Sequence, residues 1–310
     1  MMEVFSVVDN NRWGLVLTSR DLKKMFLGEF FIHDISLIMN GGKYRSAVSI
    51  CSLLFRIPKG STILVWNLGL TFALGPILRL KGHRVIYIWH EPGNMLSRIR
   101  KNGKFALSIL QALAANHFSA LYNTRIILNE PAIAFVGGKR DVCYAPIPFY
   151  PRHLSFDGAR RQVIFMGAKL SKRGLGLFSD LAVRFKDKTD IDFVFFPSEE
   201  FGKTESDKAE LLGKAQSIIW NFFQVDYNQS GVSSDALRYG VPILTTEFER
   251  YLVRGPGSRL NAHSNEGVTQ IMGRLQSAFD NYQFERDIMR SEAEEKYKKS
   301  RAAWKAILGK

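Results

Sequence analysis

The residues best suited to chemistry lie where a loop meets a helical pattern, in residues 226–243. Ser230 and Gly231 stand just before that pattern, and their small side chains leave backbone N–H groups exposed. A helix N-terminus with free N–H groups binds anions well. Asp235 falls in the first turn of the helix, where its carboxylate could accept hydrogen bonds from a ribose. A well-capped helix that binds no ligand fits the same pattern.

A second stretch, residues 166–174, follows an apolar strand pattern and precedes a helical one. It contains two glycines and three cations, Lys169, Lys172 and Arg173. Open α/β sheets bind ligands at the carboxyl ends of their strands. Lysine and arginine at such an end would neutralise a diphosphate. A solvated basic turn has the same composition, so the residues alone leave both interpretations open.

A third candidate is His90, which ends another strand pattern and is followed by Glu91. A histidine at this position either hydrogen-bonds a ligand or is satisfied within the protein, and geometry must decide between the two. Glu91 either contacts an acceptor or neighbours a helix N-cap. No cluster of histidine and cysteine has metal-ligand spacing, so we predict no metal site.

Short apolar runs that alternate with helical patterns position these candidates. Strand patterns cover residues 35–39, 62–66, 84–89, 142–144, 162–166, 192–196, 217–220 and 241–244. Helical patterns cover residues 175–185, 205–214, 233–239 and most of 268–308. Such alternation predicts βαβ units and parallel sheets. The predicted fold is α/β, with two Rossmann-like, doubly wound domains and a C-terminal helical segment.

A proline-rich stretch divides the two domains. Pro146, Pro148 and Pro151 precede Asp157-Gly158, after which the strand pattern restarts. We therefore predict a first domain over residues 1–150, a linker over 151–161, a second domain over 162–285 and a C-terminal helix over 286–310.

Composition narrows the class of protein. The 310 residues are 46% hydrophobic and 23% charged, which excludes a disordered, collagen-like or coiled-coil chain. Two cysteines exclude a disulfide scaffold and favour a reducing cytoplasm. The net charge of +14 divides into +11 for residues 1–155 and +3 for the remainder. The basic half predicts an anionic partner: a nucleic acid, an anionic membrane or a phosphorylated substrate.

Residues 166–174 and 226–243 together resemble the nucleotide-sugar-binding domain of retaining glycosyltransferases with the GT-B fold, of the family 4 type. In that family a Gly-Arg-Leu-like turn is followed by Lys-Gly, and the counterparts here are Lys169-Leu170 and Arg173-Gly174, at a shorter spacing. The resemblance covers residues 162–246 best.

The family's second landmark is a pair of glutamates separated by seven residues, followed by alanine and a Gly-x-Pro-Val turn. Asp235-Ala236 and residues 240–243 match its latter half. The first glutamate falls on Tyr227, with Asp226 adjacent, which is a departure from the family pattern.

The resemblance implies a glycosyltransferase that moves a sugar from a nucleotide sugar to a glycan or lipid-linked acceptor in bacterial surface-polysaccharide synthesis. It implies retention of configuration, no metal and no cofactor besides the donor itself. The implied donor-binding residues are Lys169, Arg173, Gly174, Asn228, Ser230, Gly231 and Asp235. The implied catalytic residues are His90 and Asp226, with Glu91 on the acceptor. The C-terminal helix, with Trp304, is implied to pack on the first domain.

Residues 95–105 interleave apolar side chains with the four cations Arg98, Arg100, Lys101 and Lys104. Such a segment binds anionic bilayers, which predicts a cytoplasmic protein held peripherally at the inner face of the cell membrane. An ordinary solvated helix face has the same pattern.

Two other functions stay open. One is a nucleic-acid-binding α/β protein that uses the basic half, although no recognised motif supports it and we predict no nucleic-acid partner. The other is a non-catalytic scaffold, suggested by Tyr227. The sequence does not indicate an oligomeric state.

Overall fold

The computed structural model describes residues 2–9, 13–37, 56–66, 71–89, 124–127, 142–156, 158–167, 173–197, 205–224, 231–248 and 257–309. The chain divides into two compact units. The first consists of Met1–Pro148 with Lys299–Lys310, and the second consists of Phe149–Lys298.

The first unit contains a parallel sheet of six strands, in the order β2-β1-β3-β4-β5-β6. Its strands are β1 (Met2–Asp9), β2 (Phe30–Leu37), β3 (Thr62–Trp66), β4 (Arg84–Trp89), β5 (Thr124–Ile127) and β6 (Val142–Tyr144). Its described helices before the C-terminus are α1 (Trp13–Met25) and α2 (Thr71–Leu80). The predicted strand patterns at β3, β4 and β6 are confirmed. Neither β1 nor α1 was predicted.

The second unit contains a parallel sheet of five strands, in the order β11-β10-β9-β7-β8. Its strands are β7 (Arg161–Gly167), β8 (Ile191–Pro197), β9 (Gln216–Asn221), β10 (Ile243–Thr246) and β11 (Asn261–Ala262). Its helices are α3 (Leu175–Phe185), α4 (Glu205–Gly213), α5 (Gly231–Tyr239) and α6 (Val268–Asp280). Strands alternate with helices through most of this unit, as predicted.

The last helix, α7 (Tyr282–Leu308), belongs to both units by sequence, because the division falls at Lys298. Its Trp304 is fully buried in the first unit, where its ring lies 5.9 Å from that of Trp66. The Trp304 indole N–H donates to the carbonyl of Pro146 at 2.9 Å. The guanidinium of Arg84 donates to the carbonyl of Leu308 at 3.2 Å and so caps the end of the helix.

Within the predicted linker, residues 151–161, Arg152 and Leu154 lie against the end of α5, and Arg161 already begins β7. The backbone N–H of Arg152 donates to the carbonyl of Arg238, and that of Leu154 donates to the carbonyl of Tyr239 at 3.2 Å. These bonds satisfy carbonyls that the last turn of a helix leaves without intrahelical partners. Among the described residues, no helix is long and apolar enough to cross a membrane.

Candidate functional site

Arg173 lies between β7, which ends at Gly167, and α3, which begins at Leu175, and is only 5% exposed. Its guanidinium donates to the carbonyl of Met166 at 2.7 Å and to the side-chain oxygen of Asn221 at 3.4 Å. The rings of Phe165 and Phe223 lie 5.3 and 6.0 Å from its central carbon. The side chain is therefore held inside the protein at the edge of the sheet, not in a solvated turn.

Gly174 is the N-cap residue directly before α3, and its backbone requires glycine. Its φ is 64°, in the left-handed region that residues with a Cβ rarely adopt. A Cβ there would lie 2.9 Å from Cδ1 of Phe222. Next to it, the carbonyl of Arg173 accepts from the indole N–H of Trp220 at 2.9 Å. The turn that carries the cation is thus fixed by its backbone as well as by its side chain.

Asn221 ends β9 and connects this turn to α5. Its side-chain oxygen accepts from Arg173, and its side-chain NH₂ donates to Oγ of Ser233 at 3.1 Å. Ser233 lies in the first turn of α5. The carboxyl ends of two adjacent strands, β7 and β9, therefore bring a guanidinium and a helix N-terminus to one edge of the sheet. Sequence reasoning missed Asn221, although an asparagine directly after an apolar strand was a visible signal.

The first residue of α5 faces open space. Gly231 is exposed, and no described atom lies within 4 Å of the position a Cβ would take. The rest of the helix, from Val232 to Tyr239, is buried. In the same first turn, Oγ of Ser234 is buried and has no hydrogen-bond partner among the described residues. Because the first N–H groups of a helix lack intrahelical acceptors, this end can accept an anion.

Asp235 lies in the second turn of α5, not in the first turn as predicted, because the helix begins at Gly231. It is the centre of a buried ion triad. One carboxylate oxygen accepts from Nζ of Lys208 at 2.7 Å, and the other accepts from the guanidinium of Arg238. All three side chains are at most 6% exposed. Burial raises the pKa of the neighbouring Tyr239 far above its ordinary value, and the charge of Asp235 adds to that rise. Each carboxylate oxygen thus already has a cation as partner, and the predicted ribose contact stays a prediction.

Lys208 was not predicted, because nothing in the polar pattern of α4 sets it apart from the solvated lysines. Among the sequence-predicted site residues, the structure describes Arg173, Gly174, Gly231 and Asp235. The others lie outside the described residues: His90, Glu91, Lys169, Asp226, Asn228 and Ser230, together with residues 95–105. Within the part of the chain that is described, no group of three or more metal-ligating side chains is found.

Comparison with known proteins gives likeness in fold only. No family model matches the sequence, and no curated protein matches it significantly. HepE from Anabaena, solved with UDP and glucose, is similar over the full length of both chains, with a TM-score of 0.66 and 10% identity. A UDP-N-acetylglucosamine 2-epimerase has a TM-score of 0.58 at 11% identity, covering 99% of this chain and 96% of its own.

A UDP-glucosyltransferase from Polygonum tinctorium has a TM-score of 0.54 at 8% identity, covering 99% of this chain and 98% of its own. At these identities the likeness establishes the fold. The chemistry has to be inferred from the residues of the site. Two parallel α/β sheets with their helices, followed by a C-terminal helix, confirm the predicted fold class: the chain has the GT-B fold of two Rossmann-like domains.

Proposed function

We propose that the chain is a glycosyltransferase that uses a nucleotide sugar, with the donor diphosphate at the carboxyl edge of the second sheet. One observation carries this proposal. The buried guanidinium of Arg173 bonds Asn221, which bonds Ser233 in the first turn of α5. A fixed cation and the positive end of a helix thus share one edge, where they would stabilise a diphosphate leaving group.

The remaining roles follow from the sequence resemblance. Lys169 would join Arg173 on the diphosphate, while Ser230 and Gly231 would offer backbone N–H groups to phosphate or sugar hydroxyls. Asn228 and Asp235 would contact the donor, Asp235 at the ribose. His90 would hydrogen-bond the donor sugar, with Asp226 as the second catalytic residue and Glu91 at the acceptor. The reaction would retain configuration and need no metal.

The solved structures support a nucleotide sugar as the donor. HepE was solved with UDP-glucose as well as with UDP and glucose, and it covers the whole of this chain. We extend the proposal to a glycan or lipid-linked acceptor in bacterial surface-polysaccharide synthesis. We also propose that residues 95–105 hold the enzyme peripherally at the cytoplasmic face of the cell membrane.

The test is calorimetric binding of UDP, GDP and their sugars to wild type and to two single variants, Arg173→Ala and Lys169→Ala. A charge-assisted contact to phosphate contributes about 1.5–3 kcal/mol, so each variant should weaken binding by about 10- to 150-fold. Arg184→Ala is the matched control, because Arg184 is exposed at the far end of α3. Unchanged affinity in both site variants would remove this turn from the donor site.

Epimerisation of the donor is a second candidate, favoured by the UDP-N-acetylglucosamine 2-epimerase that shares the fold over nearly the whole chain. Incubation with UDP-N-acetylglucosamine and no acceptor, followed by NMR of the sugar, separates the two reactions. A change of configuration at one sugar carbon identifies an epimerase, whereas transfer requires an acceptor and releases UDP. Absence of turnover with any donor would favour the scaffold, and steeply salt-dependent binding to arbitrary DNA would favour a nucleic-acid-binding protein.

A further inference from the structure

The amino edge of the first sheet presents exposed leucines among cations. Strands β2, β1, β3 and β4 are adjacent and parallel, so the turns before β2, β3 and β4 lie along one edge. Three strand spacings make this edge about 14 Å wide. The carbon skeleton of Lys59 lies 3.7 Å from where a Cβ of Gly82 would be, so two of these turns touch. We call this surface the amino edge.

Two highly exposed leucines lie in or beside the turns of the amino edge. Leu27, in the turn before β2, is 82% exposed, and Leu80, the last residue of α2 and next to the turn before β4, is 87% exposed. Met2, Phe31 and Ile77 are also exposed near the same edge. The protein leaves these apolar side chains in water although burial of one leucine contributes about 1.5–3 kcal/mol. Clustered exposed apolar groups of this kind mark an interaction surface.

The cations of the amino edge greatly outnumber its acids. The basic side chains are Lys23, Lys24, Arg56, Lys59, Arg79, Lys81, Arg301 and Lys305, and the acidic ones are Glu3 and Glu29. Glu29 is already paired with Arg301 and with Lys305. Lys23, Lys24, Arg56 and Lys59 have no carboxylate partner among the described residues. The edge therefore carries a clear positive excess.

Helix ends explain only part of this arrangement. Lys23 and Lys24 lie in the last turn of α1, and Arg79 lies in that of α2, where a cation stabilises the helix dipole. The dipole accounts neither for Lys59, in a turn before a strand, nor for the exposed leucines.

The edge of the second sheet that precedes its strands differs from the amino edge in its charges and in its exposed apolar side chains. Three of its cations are paired with carboxylates: Arg160 with Asp192 at 2.7 Å, Arg161 with Asp280 at 3.1 Å, and Lys214 with Glu210 at 2.6 Å. The exposed Lys186 and Lys188 precede β8 together with the acidic Asp187 and Asp190, so cations and acids nearly balance at this edge. Among the described residues of this edge, the large apolar side chain that is exposed is Val183, near the end of α3. Two sheets of similar topology thus differ at the same edge in charge balance and in apolar exposure.

From this contrast we infer that the amino edge docks on an anionic lipid bilayer. Leu27 and Leu80 enter the headgroup region while Lys23, Lys24, Arg56 and Lys59 contact lipid phosphates. A nucleic acid or another polyanion would contact the cations but would gain nothing from the exposed side chains of Leu27 and Leu80. The combination of the two favours a membrane over other acidic partners.

Flotation with vesicles of equal parts phosphatidylglycerol and phosphatidylcholine, without nucleotide sugar, tests this surface separately from sugar transfer. The charge variant replaces Lys23, Lys24, Arg56 and Lys59 with glutamine. Its matched control replaces Arg160, Lys186, Lys188 and Lys214 of the second unit with glutamine, and therefore has the same net charge. Each lost cation should weaken binding by about fivefold, so the charge variant, which lacks four, should lose about 600-fold while the control keeps most of its binding.

The apolar variant, Leu27→Ser with Leu80→Ser, should weaken vesicle binding by about tenfold, and the control Val183→Ser should leave it unchanged. Thermal unfolding of each variant confirms that these exposed substitutions keep the fold. Equal losses in the two charge variants, or unchanged binding in the apolar variant, would overturn the inference. Complete loss on replacing the cations of residues 95–105, with no effect from the amino edge, would overturn it in favour of that segment.

Discussion

Removal of the negative charge of Asp235 should destabilise the second unit strongly. Asp235→Asn keeps the size of the side chain but leaves Lys208 and Arg238 buried, 4% and 3% exposed, without the carboxylate between them. Breaking a buried ion pair by removal of one partner costs about 3–5 kcal/mol, because the remaining charge is uncompensated. Two remaining cations place the expected loss at the upper end of that range.

A second variant separates the charge from the shape of the site. Lys208→Met removes one cation and leaves Asp235 paired with Arg238, so the buried charges still balance. We expect a loss of about 1.5 kcal/mol or less. In the double variant one buried cation has lost its bond to Asp235, not two, and at least about 1 kcal/mol of the Asp235→Asn loss should be recovered. Val183→Ser, on an exposed side chain of α3, is the control.

Urea unfolding followed by tryptophan fluorescence measures these changes, since Trp220 is buried in the second unit. Calorimetric titration with the nucleotide, at a temperature where all variants are folded, measures the other possible role of Asp235. If Asp235→Asn unfolds within about 1 kcal/mol of wild type and nucleotide affinity falls more than tenfold, the carboxylate is a ribose ligand and the triad argument is wrong.

Two further substitutions and one pH series test the packing of the second unit. Gly174→Ala should cost about 2–5 kcal/mol in urea unfolding, because the backbone is left-handed there and the new Cβ meets Phe222; Gly176→Ala, on open space, is the control. Tyr282→Phe should cost about 1–3 kcal/mol, since the hydroxyl donates to the carbonyl of Ser217 and accepts from its N–H. Burial raises the pKa of Tyr282 to about 12 from an unfolded value near 10, so its contribution is complete below pH 10 and is lost as pH rises towards 12. Urea midpoints should therefore fall more steeply over that interval in wild type than in Tyr282→Phe, and parallel curves would contradict the assignment.

Much of the fold follows from local sequence pattern. The missed strand β1 shows what local pattern does not predict. The strand β4 and the helix α3 begin and end where apolar periodicity and the neighbouring glycines place them. The strand β1 was missed because Ser6 lies in the middle of it. That serine is fully buried, and its hydroxyl accepts from the indole N–H of Trp66 at 2.8 Å and bonds Ser19. A buried serine is stable only with such partners, and these lie 60 and 13 residues away.

The candidate site shows the same division between local and distant information. Spacing around a strand end and a helix start singled out Arg173 and Asp235, but their partners Asn221 and Lys208 are 48 and 27 residues distant. Those partners change what the aspartate does. An unpaired carboxylate in the first turns of α5 would lower the positive potential at its N-terminus and oppose binding of a diphosphate. With Lys208 and Arg238 the triad has a net charge of +1, so this helix end stays attractive to an anion even if Asp235 never touches the donor.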